Sequence, residues 1–443
     1  MIRRILAIAR NTLRAASRSR VALVLLILLV TVALALPRAL KGDGTPASEI
    51  RMLLTWTLGT AVVLLAIATL WLGCSTTAGE IDDATLTGVK VSPVRSFEIC
   101  LGKWLGLMTL NTVLLLVVIV LFSVQISLSN FPSDLLQPSR RLLPSADSVA
   151  QQAHRVIARA QEEGLIEPDA DLNALLQEAA TELEREYLAV SPGETFQWQF
   201  DWQRRRTRPD ARLQIKVGLV STFGMAGGID ADCSLLDAAG REVIRFPATS
   251  DDGRNVVQSL PVAELGEDGV VTVRLAMKDS GEGGAVLVRA SDGAELLVPH
   301  GSFTGNLLLG GLALLSLLAV LASIGVASGT MFSLPVAIFT ASALTLVGML
   351  SQTNLDDYGG CDHHHHATDD TCDKLSSAYA GKALKAVAWT LEPFSTAAPL
   401  DNLGDRIHLK PSAVARVVGF TGLVLPLGFN LLGALILRRR EFN

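Results

Sequence analysis

Two stretches of this chain carry the residue types that chemistry needs. One is Cys361-Asp362-His363-His364-His365-His366-Ala367-Thr368-Asp369-Asp370-Thr371-Cys372. Neutral imidazoles suit copper, zinc or nickel, and Asp362, Asp369 and Asp370 offer oxygen ligands. Consecutive side chains cannot all converge on one ion, and the run has no i, i+4 spacing. His363, His364, His365 and His366 are therefore candidate Cu or Zn ligands beside a second reading. In that reading the segment is a solvated polar loop, closed by a Cys361–Cys372 disulfide in an oxidising compartment. The other stretch runs from Glu80 to Gly106 and mixes acidic, basic and small residues between two apolar runs. It is too short for a domain and too ordered in pattern for a mere linker.

Other chemistries lack their residues. Gly102-Lys103 is followed by Trp104, and Gly381-Lys382 by Ala383, so neither completes a loop that cradles phosphate. No Gly-x-Ser-x-Gly elbow and no His-Glu-x-x-His zinc helix occurs. The residues predict no catalytic centre, so this chain reads as no enzyme and binds no cofactor of its own outside the histidine run. Nothing in it points to nucleic acid.

The elements that must hold these stretches are apolar and long. Hydrophobic residues make up 49% and charged residues 18%, and the charges are unevenly spread. Uninterrupted apolar stretches lie near 21–37, 53–73, 104–126, 304–328, 331–350 and 413–437. Each is long enough for a hydrocarbon core of about 30 Å at about 1.5 Å per helical residue. The spacing predicts an all-α membrane bundle of six transmembrane helices, with the fourth and fifth forming a tight hairpin around Gly329, Thr330 and Pro335. These spans are nearly free of ionisable groups, which argues against gradient-driven transport and intramembrane proteolysis.

Lys and Arg set the orientation. Arg3, Arg4, Arg10, Arg14, Arg18 and Arg20 precede the first span; Lys90, Arg95 and Lys103 follow the second; Arg438, Arg439 and Arg440 follow the last. With six spans all three groups share one side, so both termini are predicted to be cytoplasmic, in a bacterial inner membrane. Residues 127–303 and 351–412 are then extracytoplasmic. The Arg-rich start and Ala33-Leu34-Ala35 also imitate a cleavable signal. That signal is the competing reading; the pattern predicts an amphipathic helix in the membrane interface, with Ile2, Ile5, Leu6, Ala9 and Leu13 on one face.

Three regions follow: 1–126 with its cytoplasmic loop 74–103, an outer insert at 127–303, and 304–443 with the His-rich loop 351–412. The insert is predicted as α+β. Helical patterning from Ser145 to about Ala189 breaks at Gly164 and Pro168 into a hairpin. Short strands then alternate at 196–202, 213–217 and 270–275, with others near 241–246, 285–289 and 295–299, suggesting a small antiparallel β-sandwich. Trp198 and Trp202 fit its core and Arg204-Arg205-Arg206 a solvated turn. A further helix is expected near Leu375–Leu391.

Four stretches resemble permeases of the ABC transporter superfamily, in the exporter-type branch that includes copper-maturation and gliding-motility permeases. They are Ile8–Arg14 leading to Pro37, similar to an elbow helix; Glu80–Gly106, similar to a coupling helix; Phe332-Ser333-Leu334-Pro335-Val336-Ala337, similar to an inner hairpin; and the ending Arg438-Arg439-Arg440-Glu441-Phe442. The insert between spans three and four departs from the family's short loop. The resemblance implies a separate cytoplasmic ATPase that binds ATP and Mg, seated on Glu80, Asp82, Asp83, Thr85, Pro93, Arg95, Glu98 and Lys103. It also implies a second permease protomer, with Trp104 anchoring the next span at the membrane interface. Further partners are membrane lipid and an outer protein. The other class of function is a non-transporting scaffold or sensor whose outer domain binds an envelope protein or ligand.

Overall fold

The computed structural model describes residues 1–18, 20–39, 46–82, 95–129, 131, 136–162, 172–185, 187–191, 193–203, 212–221, 231–248, 256–261, 268–277, 286–289, 291, 293–358 and 398–439. The chain divides into two compact units, Met1–Leu136 with Ser302–Asn443, and Gln137–Gly301.

The first unit is helical. It contains α1 (Ile2–Arg18), α2 (Arg20–Ala39), α3 (Pro46–Met52), α4 (Gly59–Asp82) and α5 (Ser96–Leu128). A π-helical turn at Leu53–Leu58 joins α3 to α4. After the second unit come α8 (Phe303–Met331), α9 (Leu334–Tyr358), α10 (Pro399–Gly404), α11 (Pro411–Gly419) and α12 (Leu425–Arg439), with a second π-turn at Phe420–Val424. Four helical segments are long and apolar enough to cross a membrane: Glu49–Ile81, Ser96–Leu128, Phe303–Met331 and Pro411–Arg439. A fifth arises if the bent pair Ile2–Arg18 and Ala22–Leu36 counts as one, and Leu334–Val347 is a shorter apolar helix. The break before α9 falls at Phe332 and Ser333, where Pro335 enters in the first turn without losing a helical hydrogen bond.

Helix α8 is the centre of this unit. In its most apolar stretch 72% of residues are buried, against 39–50% in the other three long segments, so α8 is surrounded by protein and they are partly peripheral. Close contact depends on small residues. A Cβ at Gly325 would lie 3.0 Å from the Gly73 Cα and 2.9 Å from the Leu70 carbonyl; one at Gly329 would lie 2.8 Å from the Cys74 carbonyl. Apolar area alone gives helices in lipid little reason to associate, whereas close backbone approach increases dispersion contact. The Trp104 indole N–H, on α5, donates to the Ala319 carbonyl of α8 at 2.9 Å. Trp104 is 7% exposed, so it braces two helices inside the bundle instead of anchoring a span at the interface as expected.

The α1 helix also differs from expectation. Its buried residues are Ile5, Ala9, Thr12 and Ala16, while Ile2 and Leu6 are exposed. The buried stripe meets α5 at Gly102 and Gly106, where a Cβ at Gly106 would come within 2.6 Å of the Ala9 carbonyl. The one-faced pattern assumed from sequence splits: Ile5 and Ala9 turn to the glycines of α5, whereas Ile2 and Leu6 remain outside.

The second unit holds β1 (Ser139–Leu142), α6 (Ala146–Glu162), α7 (Leu172–Arg185) and ten further strands. These are β2 (Tyr187–Val190), β3 (Thr195–Gln203), β4 (Arg212–Val217), β5 (Val220–Ser221), β6 (Ala231–Leu236), β7 (Glu242–Pro247), β8 (Val256–Pro261), β9 (Asp268–Met277), β10 (Val286–Arg289) and β11 (Ala294–Pro299). Three antiparallel sheets run β1-β11-β4-β8, β2-β10-β5 and β3-β9-β6-β7. Period-two alternation fixes their register. Phe196, Trp198 and Phe200 on β3 face Leu275, Val273 and Val271 on β9, and all six are buried. Each such side chain contributes about 1.5–3 kcal/mol of apolar burial. Trp198 donates its indole N–H to the Arg289 carbonyl on β10 at 3.0 Å, tying two sheets together. Ser145 N–H bonds the Gln199 carbonyl at 2.7 Å and Gln152 Nε2 bonds the Gln197 carbonyl at 3.2 Å, covering one edge of β3. At the β6–β7 turn Gly240 has φ +75°, and the Arg241 backbone N–H holds the Asp237 carboxyl below the usual range.

Replacing Gly106 with Val should lower stability by about 1–3 kcal/mol through overpacking, read as a lower melting temperature in detergent. Gly59→Ala, where nothing lies within 4 Å, should not lower it. Equal behaviour of the two variants would contradict the contact between α1 and α5. In the β unit, burial pushes the Cys233 thiol up to about 12. Maleimide should then label Cys233 slowly in the folded chain at about pH 8 and quickly after unfolding. Fast labelling of the native protein would show the core to be open there.

Candidate functional site

Of the polar stretch Glu80–Gly106, the described residues are the end of α4, through Asp82, and the first part of α5, from its N-cap Arg95. At α5 the Glu98 carboxylate accepts the Arg95 backbone N–H at 3.2 Å, one half of a capping box. A carboxylate in the first turn is also favoured by the helix dipole. One turn on, Lys103 Nζ pairs with Glu80 Oε2 at 2.7 Å and donates to the Thr76 carbonyl. Its side chain is 2% exposed and that of Glu80 38%. Burying an ammonium is costly unless it is paired and hydrogen-bonded, and here a carboxylate and a carbonyl near the end of α4 do both. The pair clamps α4 to α5, and the adjacent glycines clamp α5 to α1. The end of α4, the start of α5 and the body of α1 thus pack together as one platform.

The expected docking residues divide on this platform. Glu80 is half-buried in the clamp, and Arg95 is exposed at the start of α5. Asp82 lies in the last turn of α4. Glu98 and Lys103 are 3% and 2% exposed, which corrects their expected role: such side chains cannot reach into a partner and instead support the helix ends. Asp83, Thr85 and Pro93 lie outside the described residues, as do Lys90 and Arg204–Arg206. So do Cys361, His363, His364, His365, His366 and Cys372, together with the helix expected near Leu375–Leu391. Among the described residues no group of three or more His, Cys, Asp or Glu is placed to hold a metal ion.

Sequence reasoning missed a second polar place, at the other end of the Glu49–Ile81 helix. Arg51 Nε pairs with Asp405 Oδ1 at 3.0 Å, and both line a cavity of about 310 Å³ with Thr55, Trp56 and Asp401. Asn306 fixes the chain beside it. Its Nδ2 donates to the Ile407 carbonyl at 3.0 Å, and its Oδ1 accepts the Leu409 N–H at 2.8 Å. The signal was an asparagine four residues into an apolar span, where an unpaired amide is costly.

Within the bundle the Thr69 hydroxyl lies 2.6 Å from the Leu65 carbonyl and 3.0 Å from the Asn111 side-chain amide, a polar bridge between α4 and α5. No described ionisable side chain joins it. The bridge joins the two helices, and among the described residues it is part of no acid–base or nucleophilic constellation.

Comparison with family models, with curated proteins and with solved structures gives no match to this chain.

The clamp makes an asymmetric prediction. Glu80→Ala leaves Lys103 buried with a carbonyl alone and should cost about 2–4 kcal/mol. Lys103→Met removes the buried charge with the pair and should cost clearly less. Thermal unfolding of the two variants in one detergent checks this, and a greater loss for Lys103→Met would reverse the assignment.

Proposed function

We propose that this chain is a permease subunit of an exporter-type ABC transporter, which couples ATP hydrolysis on a separate cytoplasmic ATPase to export or extraction of a substrate, or to force on the outer insert. The observation that carries the reading is the platform. The two helices that flank the polar connector 83–94 are locked together by a buried ion pair at the point where the connector departs. Movement imposed on that connector passes to α4 and α5 as one body. It then reaches α8 through Trp104 and the Gly73–Gly325 contact. A loosely attached loop would dissipate the same movement.

Six spans fit this reading when the bent α1–α2 pair and the short apolar helix of α9 join the four long segments. The basic clusters at both termini and at the connector then share the cytoplasmic side of a bacterial inner membrane, by the positive-inside bias. The insert and the loop 351–412 are extracytoplasmic, and two protomers build one pathway. Membrane lipid surrounds the exposed apolar faces of α2, α4 and α5, including Leu23, Val24, Val63, Ile67 and Val120. Energy comes from the partner, since this sequence has no phosphate loop of its own.

Asp82→Arg with Arg95→Glu reverses charge on both sides of the connector, and Arg95 is exposed. Purified from native membranes, the wild-type chain should carry an ATPase subunit, and the double variant should lower its yield or its ATP turnover roughly tenfold. Unchanged assembly and turnover, or a wild-type chain that brings no ATPase, would discard the coupling role and leave a scaffold or sensor.

A further inference from the structure

The chain that leads into α2 is basic and holds no acidic residue. Arg3, Arg4, Arg10, Arg14, Arg18 and Arg20 all precede the first acidic residue, Asp43. α1 turns its small residues toward α5, and these arginines are exposed. Beside Arg20 a groove of about 390 Å³ separates α2 from α4. Val24 and Leu28 form one wall, at one-turn steps beyond Arg20, and Leu64, Ile67 and Trp71 form the other. Among the described residues lining it, Arg20 is the one that is charged. About 12 Å of α2 separates Arg20 from Leu28, so the groove suits an elongated apolar group with an anion at one end.

We propose that this groove holds an acyl chain of an anionic phospholipid whose phosphate is bound by the Arg20 guanidinium. The guanidinium fork matches phosphate oxygens and remains charged at any physiological pH. Val24 and Ile67 are 60% and 63% exposed, so the groove opens onto an apolar surface of the kind that lipid covers. Trp71, 46% exposed, supplies the amphipathic ring favoured at headgroup level. A headgroup with net negative charge is preferred over a zwitterionic one because α1 carries positive charge that nothing on its own helix offsets. This site rests on the helices lying in a bilayer and is independent of the ATPase.

The full-length chain in mild detergent is titrated with phosphatidylglycerol or phosphatidylcholine of identical acyl chains, and bound lipid is counted by native mass spectrometry. Phosphatidylglycerol should be retained about fivefold better, and Arg20→Gln should bring the two to parity, the effect of one basic residue at an anionic headgroup. Val24→Trp fills the groove from an exposed position. It should reduce retention of both lipids severalfold while the melting temperature stays unchanged. Equal retention of the two lipids by the unmodified chain, or an undiminished preference in Arg20→Gln, overturns the proposal. So does a preference that falls only when Arg3, Arg4, Arg10 and Arg14 are changed to Gln together, because binding is then diffuse surface attraction. A chain that stays dispersed without detergent removes the bilayer reading and this site with it, whereas failure to find an ATPase touches neither.

Discussion

The helical unit depends on how closely α4 can approach α8. At Gly73 and Gly325 the two backbones meet with no room for a Cβ, and Gly329 repeats the condition one turn later beside Cys74. In an apolar surrounding this proximity is what makes association favourable, because lipid tails solvate leucine as well as another helix does. Everything else hangs on α8. It receives the Trp104 hydrogen bond from α5 and packs Gly310 beneath Leu403. It also places Ala327 near Gly433 of α12. A larger residue at 325 would move α4, and with it the end that bears Thr76 and Glu80.

The clamp at Lys103 follows from that placement. A buried ammonium persists only where acceptors are already fixed, and α4 supplies two of them because its position is set by glycines a turn further in. α1 is then held by a different glycine pair, Gly102 and Gly106, that flanks Lys103 on α5. Two kinds of contact thus do different work. Small residues set distance, and the ion pair sets rotation, since a charge so deeply placed tolerates only one orientation of α5.

Much of this was legible in the sequence, and the gaps have physical causes. Apolar length located the four long helical segments, and period-two alternation located β3, β4 and β9 and the buried Trp198. Polarity could not distinguish a surface charge from a buried one. Lys103 and Glu98 read as docking residues, because a sequence shows a charge without its partner, which for Lys103 is Glu80, 23 residues away. Trp104 was misplaced for a similar reason, as its acceptor lies 215 residues further on. The face of α1 was blurred because hydrophobicity ranks Ile2 above Ala9, whereas packing against glycine favours the smaller residue. Asn306 went unread because it binds backbone, whose position no side-chain pattern announces.

These errors share a direction. Sequence reading assigned polar residues near span ends to contact with something outside, and the fold used several of them to secure itself. The exposed groups that remain, such as Arg95, are the ones free to meet a partner. A docking surface must both present charge and resist being pulled away. In this chain an exposed charge and a buried one lie on one helix, Arg95 at its start and Lys103 two turns inside. Rigidity then has to be judged from the buried members of a polar segment, because the exposed members alone would describe a loop with no mechanical connection to the bundle.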